Sequence, residues 1–289
     1  GVALTDLSTG EFLVAQGNQT YIEKLIKSIK PTETIISKNY RKKFTSLFGD
    51  EFYTYPIDPW FFEEEYSKEQ LFKHFKTETL KGFGISHMDE SIVAAGAIIH
   101  YLNQNHHIDL EHINSVKRID EQEFVWIDSF TLKNLEIIES NHPNGIALLE
   151  IIDQTLSPMG SRLMRNWLLF PLLDLNQISY RQEAIEYILS DDSFHNNLNS
   201  EITKIGDLER IIGKVALKRI NPRELLQLSY ALKSIQKIQN ECQSINHQSI
   251  QRFSNTLNEN KEIIELIDSH ISIDAPVIAS KGGIFNSGV

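Results

Sequence analysis

The sequence predicts two fold classes in succession, an α/β domain over residues 1–112 and a mainly α-helical domain over residues 113–289. Three observations carry this. Short β-branched or aromatic runs alternate with amphipathic helical segments in the first stretch. Apolar residues at helical spacing, separated by turn residues, dominate the second. At 289 residues the chain also exceeds the usual size of one domain.

The first segment opens with Val2 to Asp6 and Glu11 to Ala15, two strand-like runs joined through Ser8-Thr9-Gly10. Gly10 accepts the positive φ of a tight turn, so this predicts a hairpin. Residues 19–30 place Ile22, Leu25, Ile26 and Ile29 on one helical face, and Pro31 ends the run. A strand is predicted at 34–37, a helix at 40–48, and an aromatic strand at 52–55 stopped by Pro56. An acidic aromatic helix follows over 59–76, then a turn at Gly82-Phe83-Gly84, then a buried helix over 89–103. The Ala94-Ala95-Gly96-Ala97 run of that helix predicts close packing against a sheet.

Past a strand-like stretch at 124–127, the pattern predicts helices at 129–140, 145–156, 159–169, 176–189, 193–202, 207–218, 222–239, 250–258 and 261–270. Asp128 or Ser129, Ser157, Asp207 and Asn221 stand where a side-chain oxygen caps the first free amides of a helix. Pro222 takes a first helical position, where its missing N–H costs nothing. No internal repeat defines a solenoid.

The charge balance constrains partners. With 28 Lys and Arg against 39 Asp and Glu the formal net charge is -11, which disfavours a broad phosphate-binding surface. Neither part is basic: the first 112 residues carry 11 basic and 16 acidic side chains, the remainder 17 and 23. A lone cysteine, Cys242, cannot form an intrachain disulfide and fits a reducing compartment, so a cytoplasmic protein is expected. The apolar runs at 92–99 and 167–173 fall well short of the ~20 residues that span a bilayer, and no membrane partner is expected. The absence of an initiator Met and the Gly-rich end at Gly282-Gly283 lead us to expect an internal piece of a longer protein.

Several residues invite a chemical reading. Asp6 on a first strand, followed by a turn and a second strand, could open a ribonuclease-H-like nuclease that binds Mg²⁺. Two-metal chemistry needs several converging carboxylates, and no later strand offers one, so Asp6 is expected to bond within its own turn. His100, His106, His107 and His112 crowd a helix end, where imidazoles are favoured by the helix dipole; no metal site is expected. Arg41-Lys42-Lys43 reads as a solvated face. The Gly-x4-Gly-Lys-Ser/Thr pattern that cradles phosphates is absent, as are a nucleophile elbow and a His-Glu-x-x-His motif. No catalytic, cofactor-binding or metal residue is assigned, and catalysis by this chain is not expected.

The most informative stretch runs from Ser157-Pro158-Met159-Gly160-Ser161-Arg162 through Arg165 and Trp167 to Phe170-Pro171. A small-residue cap, a glycine permitting close approach, two arginines, a tryptophan and a proline stop describe a helix pinned by anchors. It resembles the core signature of the MutS family of DNA mismatch repair proteins. Ile127-Asp128-Ser129-Phe130, Arg181-Gln182-Glu183-Ala184, Asp207-Leu208-Glu209-Arg210 and Asn221-Pro222-Arg223-Glu224 resemble further family landmarks in order. Gly1 to Phe12 and Leu80-Lys81-Gly82-Phe83-Gly84 resemble that family's connector domain.

The resemblance implies that residues 1–112 are a connector with a ribonuclease-H-like fold lacking an active site, and that 113–289 are the first part of the core or lever domain, truncated before the clamp. It also implies a full-length protein that binds mismatched DNA and hydrolyses ATP with Mg²⁺ through other residues, recruits MutL through the connector, and forms a homodimer. No cofactor is implied for this chain, which by itself should be monomeric. Arg162, Arg165 and Trp167 are expected at the connector–lever junction. An unrelated helical adaptor is the remaining alternative.

Overall fold

The computed structural model describes residues 1–106 and 110–287, without the side chains of residues 105 and 106. It is mostly helical with a small sheet component. The chain divides into two compact units, one formed by Gly1–Leu148 with Leu169–Pro171 and one by Leu149–Leu168 with Leu172–Val289.

The first unit opens with β1 (Val2–Asp6) and β2 (Glu11–Ala15), paired antiparallel with Val2 opposite Ala15 and Asp6 opposite Glu11. Gly10 closes the turn at φ 76°, and a Cβ there would lie 2.6 Å from the carbonyl oxygen of His112. Only glycine meets both demands. Helix α1 (Gln19–Ile29) starts at Asn18, whose side chain accepts from the Tyr21 amide, and stops at Lys30 in the left-handed region. β3 (Thr34–Ser37), α2 (Arg41–Phe48) and β4 (Thr54–Ile57) follow, with β3 and β4 parallel. The sequence-predicted stop at Pro56 does not occur. Pro56 pairs opposite Ile36, and in a two-stranded pair its missing N–H can face the outer edge without breaking a ladder bond.

The expected acidic helix over 59–76 is interrupted. A 3₁₀ turn at Pro59–Phe62 precedes α3 (Glu64–Phe75), which leads to α4 (Asp89–His106). Ile92, Ala95 and Ile99 of α4 bury with Ala3, Phe12 and Val14 of the hairpin and Leu71 of α3. The small-residue run packs against more than a sheet: a Cβ on Gly96 would sit 2.5 Å from Ser67 Cα, so Gly96 sets the α3–α4 approach. β5 (Lys117–Arg118) adds parallel to β2, giving a sheet ordered β1-β2-β5 beside the separate β3–β4 pair.

The strand-like stretch at 124–127 is not a strand; the Val125 amide donates to the Pro171 carbonyl at 2.7 Å. The helix expected over 129–140 ends early as α5 (Ser129–Asn134). Glu136 turns to φ 49°, while Asn141 Nδ2 donates to the Lys133 carbonyl at 2.7 Å, giving this helix end a side-chain partner. The run predicted over 145–156 shrinks to α6 (Leu148–Ile152).

The second unit continues with α7 (Pro158–Leu169), α8 (Leu175–Ser190), α9 (Asp192–Ile205), α10 (Leu208–Ala216), α11 (Pro222–Ser244), α12 (Gln248–Ser254) and α13 (Lys261–His270). Leu228, Ala231, Ile238 and Cys242 of α11 form the spine of its core, with Phe194 of α9, Ile250 of α12 and Ile267 of α13. Asn221 and Glu224 form a reciprocal capping box at the α11 start, which satisfies two otherwise orphaned amides. Among the described residues no helix is long and apolar enough to cross a membrane.

Candidate functional site

Helix α7 carries the three residues singled out in the sequence. Its start is fixed by Ser157, whose Oγ accepts from the Gly160 amide at 3.1 Å while its carbonyl accepts from the Ser161 amide at 3.1 Å. A Cβ on Gly160 would come within 3.1 Å of Thr155 Cβ and 3.3 Å of Ser157 Oγ. The glycine therefore lets the loop fold tightly onto the first turn. Asp153 completes the knot, accepting from Ser161 Oγ, from Thr155 Oγ1 at 2.6 Å and from the Thr155 amide at 3.1 Å. These bonds, Ser161's first, hold its carboxyl below the usual carboxylate range.

Arg162 reaches α10. Its Nη1 and Nη2 donate to the two Asp207 oxygens at 3.0 and 2.7 Å, and its Nε and Nη2 donate to Glu209 Oε2, the former at 3.0 Å. The planar guanidinium thus matches one carboxylate in bidentate fashion and bridges to a second. Asp207 also caps α10 through the Arg210 amide. The Arg162 bond is the main reason its carboxyl lies below the ordinary range, and the two carboxylates in turn hold the Arg162 proton more tightly. From α10, Lys214 pairs with Glu224 in the α11 capping box, extending the polar chain from α7 to α11.

Trp167, near the other end of α7, lies under Arg181 of α8, whose guanidinium carbon is 3.7 Å from the ring centroid. Burial lowers the Arg181 pKa, and a cation over an indole face is worth ~0.5–2 kcal/mol depending on desolvation. Arg165 is half-buried and has no ion pair or hydrogen bond among the described residues. The structure therefore brings Arg162 to α10 and Trp167 to α8, and joins Arg165 to neither network.

Sequence reasoning missed the residues immediately after α7. Phe170 belongs to the first unit, its ring 5.8 Å from both Phe124 and Trp126. Trp126 meets Tyr21 edge-on at 4.7 Å, and the Tyr21 hydroxyl donates to the Ile119 carbonyl at 3.1 Å. Burial pushes the Tyr21 phenol well above its ordinary pKa. The available signal was the alternation of Phe124 and Trp126, which makes an aromatic socket where a strand was expected.

Asp6 does what its turn predicts: Oδ1 accepts from the Ser8 amide at 2.8 Å and Ser8 Oγ at 2.7 Å. Among the described residues no group of three or more His, Cys, Asp or Glu side chains is arranged to hold a metal ion. His100 Nδ1 pairs with the Tyr66 hydroxyl at 2.6 Å and His112 Nε2 with the Leu7 carbonyl at 2.9 Å; His107 and the side chain of His106 lie outside the described residues. Arg41, Lys42 and Lys43 are exposed on α2.

Two family models match the chain, MutS domain II over residues 1–114 and MutS domain III over residues 130–287. The chain is 42% identical over 289 residues to the DNA mismatch repair protein MutS of Phocaeicola vulgatus, 41% identical over 288 residues to that of Christiangramia forsetii, and 42% identical over 289 residues to that of Bacteroides fragilis. Each alignment covers 100% of this chain and 33, 33 and 34% of the respective relative, so the chain spans about a third of the length of the curated relatives it matches. With both domain models in order along one polypeptide, the chain belongs to the MutS family of DNA mismatch repair proteins and carries its domains II and III.

Proposed function

We propose that this segment is the coupling element of a mismatch repair protein, passing conformational change between the part that reads mismatched DNA and the part that binds and hydrolyses ATP with Mg²⁺. In this reading residues 1–112 are the connector, which recruits MutL, and residues 113–289 are the first part of the lever in a cytoplasmic homodimer; the isolated chain is a monomer without catalysis of its own. The antiparallel β1–β2 hairpin followed by a helix and the parallel β3–β4 pair supports a ribonuclease-H-like connector. Asp6, spent on its own turn, acts there as structure and not as a metal ligand.

One observation carries the coupling reading. α7 is held within the second unit by Arg162 and Trp167, while its last residue, Leu169, and the two that follow it, Phe170 and Pro171, belong to the first. Packed elements with discrete side-chain interlocks shift as bodies. Arg162 and Trp167 are assigned to the connector–lever junction through the helix they hold, and Arg165 is assigned with them by its place on that helix alone.

Trp167→Ala in the whole protein tests this. Mismatch binding and basal ATP hydrolysis should persist, while the change in ATP hydrolysis produced by mismatched DNA falls. An unchanged response would overturn the assignment.

A further inference from the structure

The first unit exposes three aromatic rings along residues 53–60, two of which its own core holds still. Tyr53 is 68% exposed, Trp60 47% and Tyr55 40%, although Tyr and Trp normally bury most of their area. Trp60 is braced from beneath: Tyr66 meets it edge-on at 4.9 Å, His100 lies 5.8 Å away, and Phe61, stacked 3.9 Å from His100, packs at 3.7 Å. The Tyr66 hydroxyl pairs with His100 Nδ1 at 2.6 Å and locks that layer. Tyr55 is braced by Tyr101, centroids 5.2 Å apart, and the Tyr101 hydroxyl donates to Glu33 at 2.9 Å. His100 and Tyr101 are consecutive on α4, so the two exposed rings flank the same helical turns. Rings fixed before contact lose little entropy on binding and make strong anchors.

Carboxylates outnumber cations along the segment that carries the rings: Asp58 is paired with Lys38 and Glu64 with Lys68, and four further carboxylates remain. Asp50 and Glu51 precede Tyr53, and Glu63 and Glu65 follow the 3₁₀ turn that carries Trp60; none of the four forms an ion pair among the described residues. Residues 50–65 contain no Lys or Arg at all. An excess of carboxylates on the segment that carries electron-rich rings repels anions and attracts cations.

We propose that Tyr53, Tyr55 and Trp60 form a docking strip for a cationic, partly apolar segment of a partner protein, whose Lys or Arg side chains lie over the rings and against these carboxylates. The inference rests on this surface alone and is independent of the coupling assignment, which can fail without touching it.

The test is titration of the ¹⁵N-labelled chain with a short capped peptide of alternating arginine and leucine, and with its glutamate–leucine counterpart. Shifts should concentrate at Tyr53, Tyr55 and the Trp60 indole N–H for the arginine peptide only. Trp60→Ala should weaken binding about tenfold, the loss expected for removing a central aromatic anchor. Tyr53→Ala, at a ring too exposed to matter for folding, should weaken it about threefold. Glu63→Gln with Glu65→Gln should flatten the salt dependence. Equal binding of the acidic peptide, shifts confined to other acidic surfaces, or undiminished affinity in Tyr53→Ala and a folded Trp60→Ala would overturn the proposal. So would concentration-dependent self-association abolished by Trp60→Ala, because the occupant would then be a second copy.

Discussion

Each of the two units is stabilised internally by a different emphasis of forces. The first relies on shape: a glycine lets α4 approach the α3 backbone, aromatic rings pack in pairs, edge-on, stacked and tilted, and burial lowers the pKa values of His74 and His100. The second adds to its apolar core a series of capped helix ends. Asp174, Asp191, Asp207 and Asn221 each cap a helix; Arg162 ties α7 to the start of α10, and Lys214 ties α10 to the start of α11. Close-packed contacts tolerate little displacement, whereas ion pairs between helix ends can be exchanged.

The comparison breaks most visibly at Gly96. Gly96→Ala would force a Cβ to within 2.5 Å of Ser67 Cα, a backbone atom that cannot rotate away, and overpacking of this kind costs about 3 kcal/mol. Hydrogen exchange should report the loss across α3, α4 and the hairpin while α11 keeps its protection. A neutral result would mean that the α3–α4 spacing is softer than described. Next in size, Arg162→Ala removes a bidentate pair and leaves Asp207, 18% exposed at its side chain, without its main counter-charge. A cost of about 2 kcal/mol is expected, below that of a fully buried pair because Glu209 is 48% exposed. The loss should concentrate in α7 and α10. Arg162→Lys should recover less than half of it, since an ammonium cannot reproduce the fork; full recovery by lysine would show that charge alone matters there.

Local chemistry was legible in the sequence, and long-range partnership was not. The hairpin was readable because alternation and Gly10 specify it within 14 residues, and the caps at Asp128, Asp207 and Asn221 because capping is decided within one turn. Residues 129–140 read as one helix because nothing in their periodicity signals that Glu136 takes a positive φ. Arg162 could be picked out as an anchor, but its acceptors stand 45 and 47 positions away. The aromatic socket was invisible for the same reason: Tyr21 and Ile119 are 98 positions apart.

The smallest expected effect separates the units by pH. His74 and His100 have folded-state pKa values lowered chiefly by burial. Around His74 the nearby charges are His112 and Lys76, both of which oppose a further proton. The unfolded chain, with ordinary imidazoles near pH 6.5, therefore binds more protons than the native one just below that pH. The stabilisation these residues give the first unit is fully present above about pH 6.5 and declines as pH falls below it. In the second unit Asp207 is lowered by the Arg162 bond and Asp153 by Ser161 and Thr155. Their contribution is present above the ordinary carboxylate range near pH 4 and is lost only as pH falls through the lower folded values. Exchange protection followed from pH 7 to pH 5 should thus fall first in α3 and α4, with α7 and α10 holding until the carboxylates titrate. Replacing His100 by Phe should remove its share of the upper limb and leave the lower one in place; simultaneous loss in both units would refute the division.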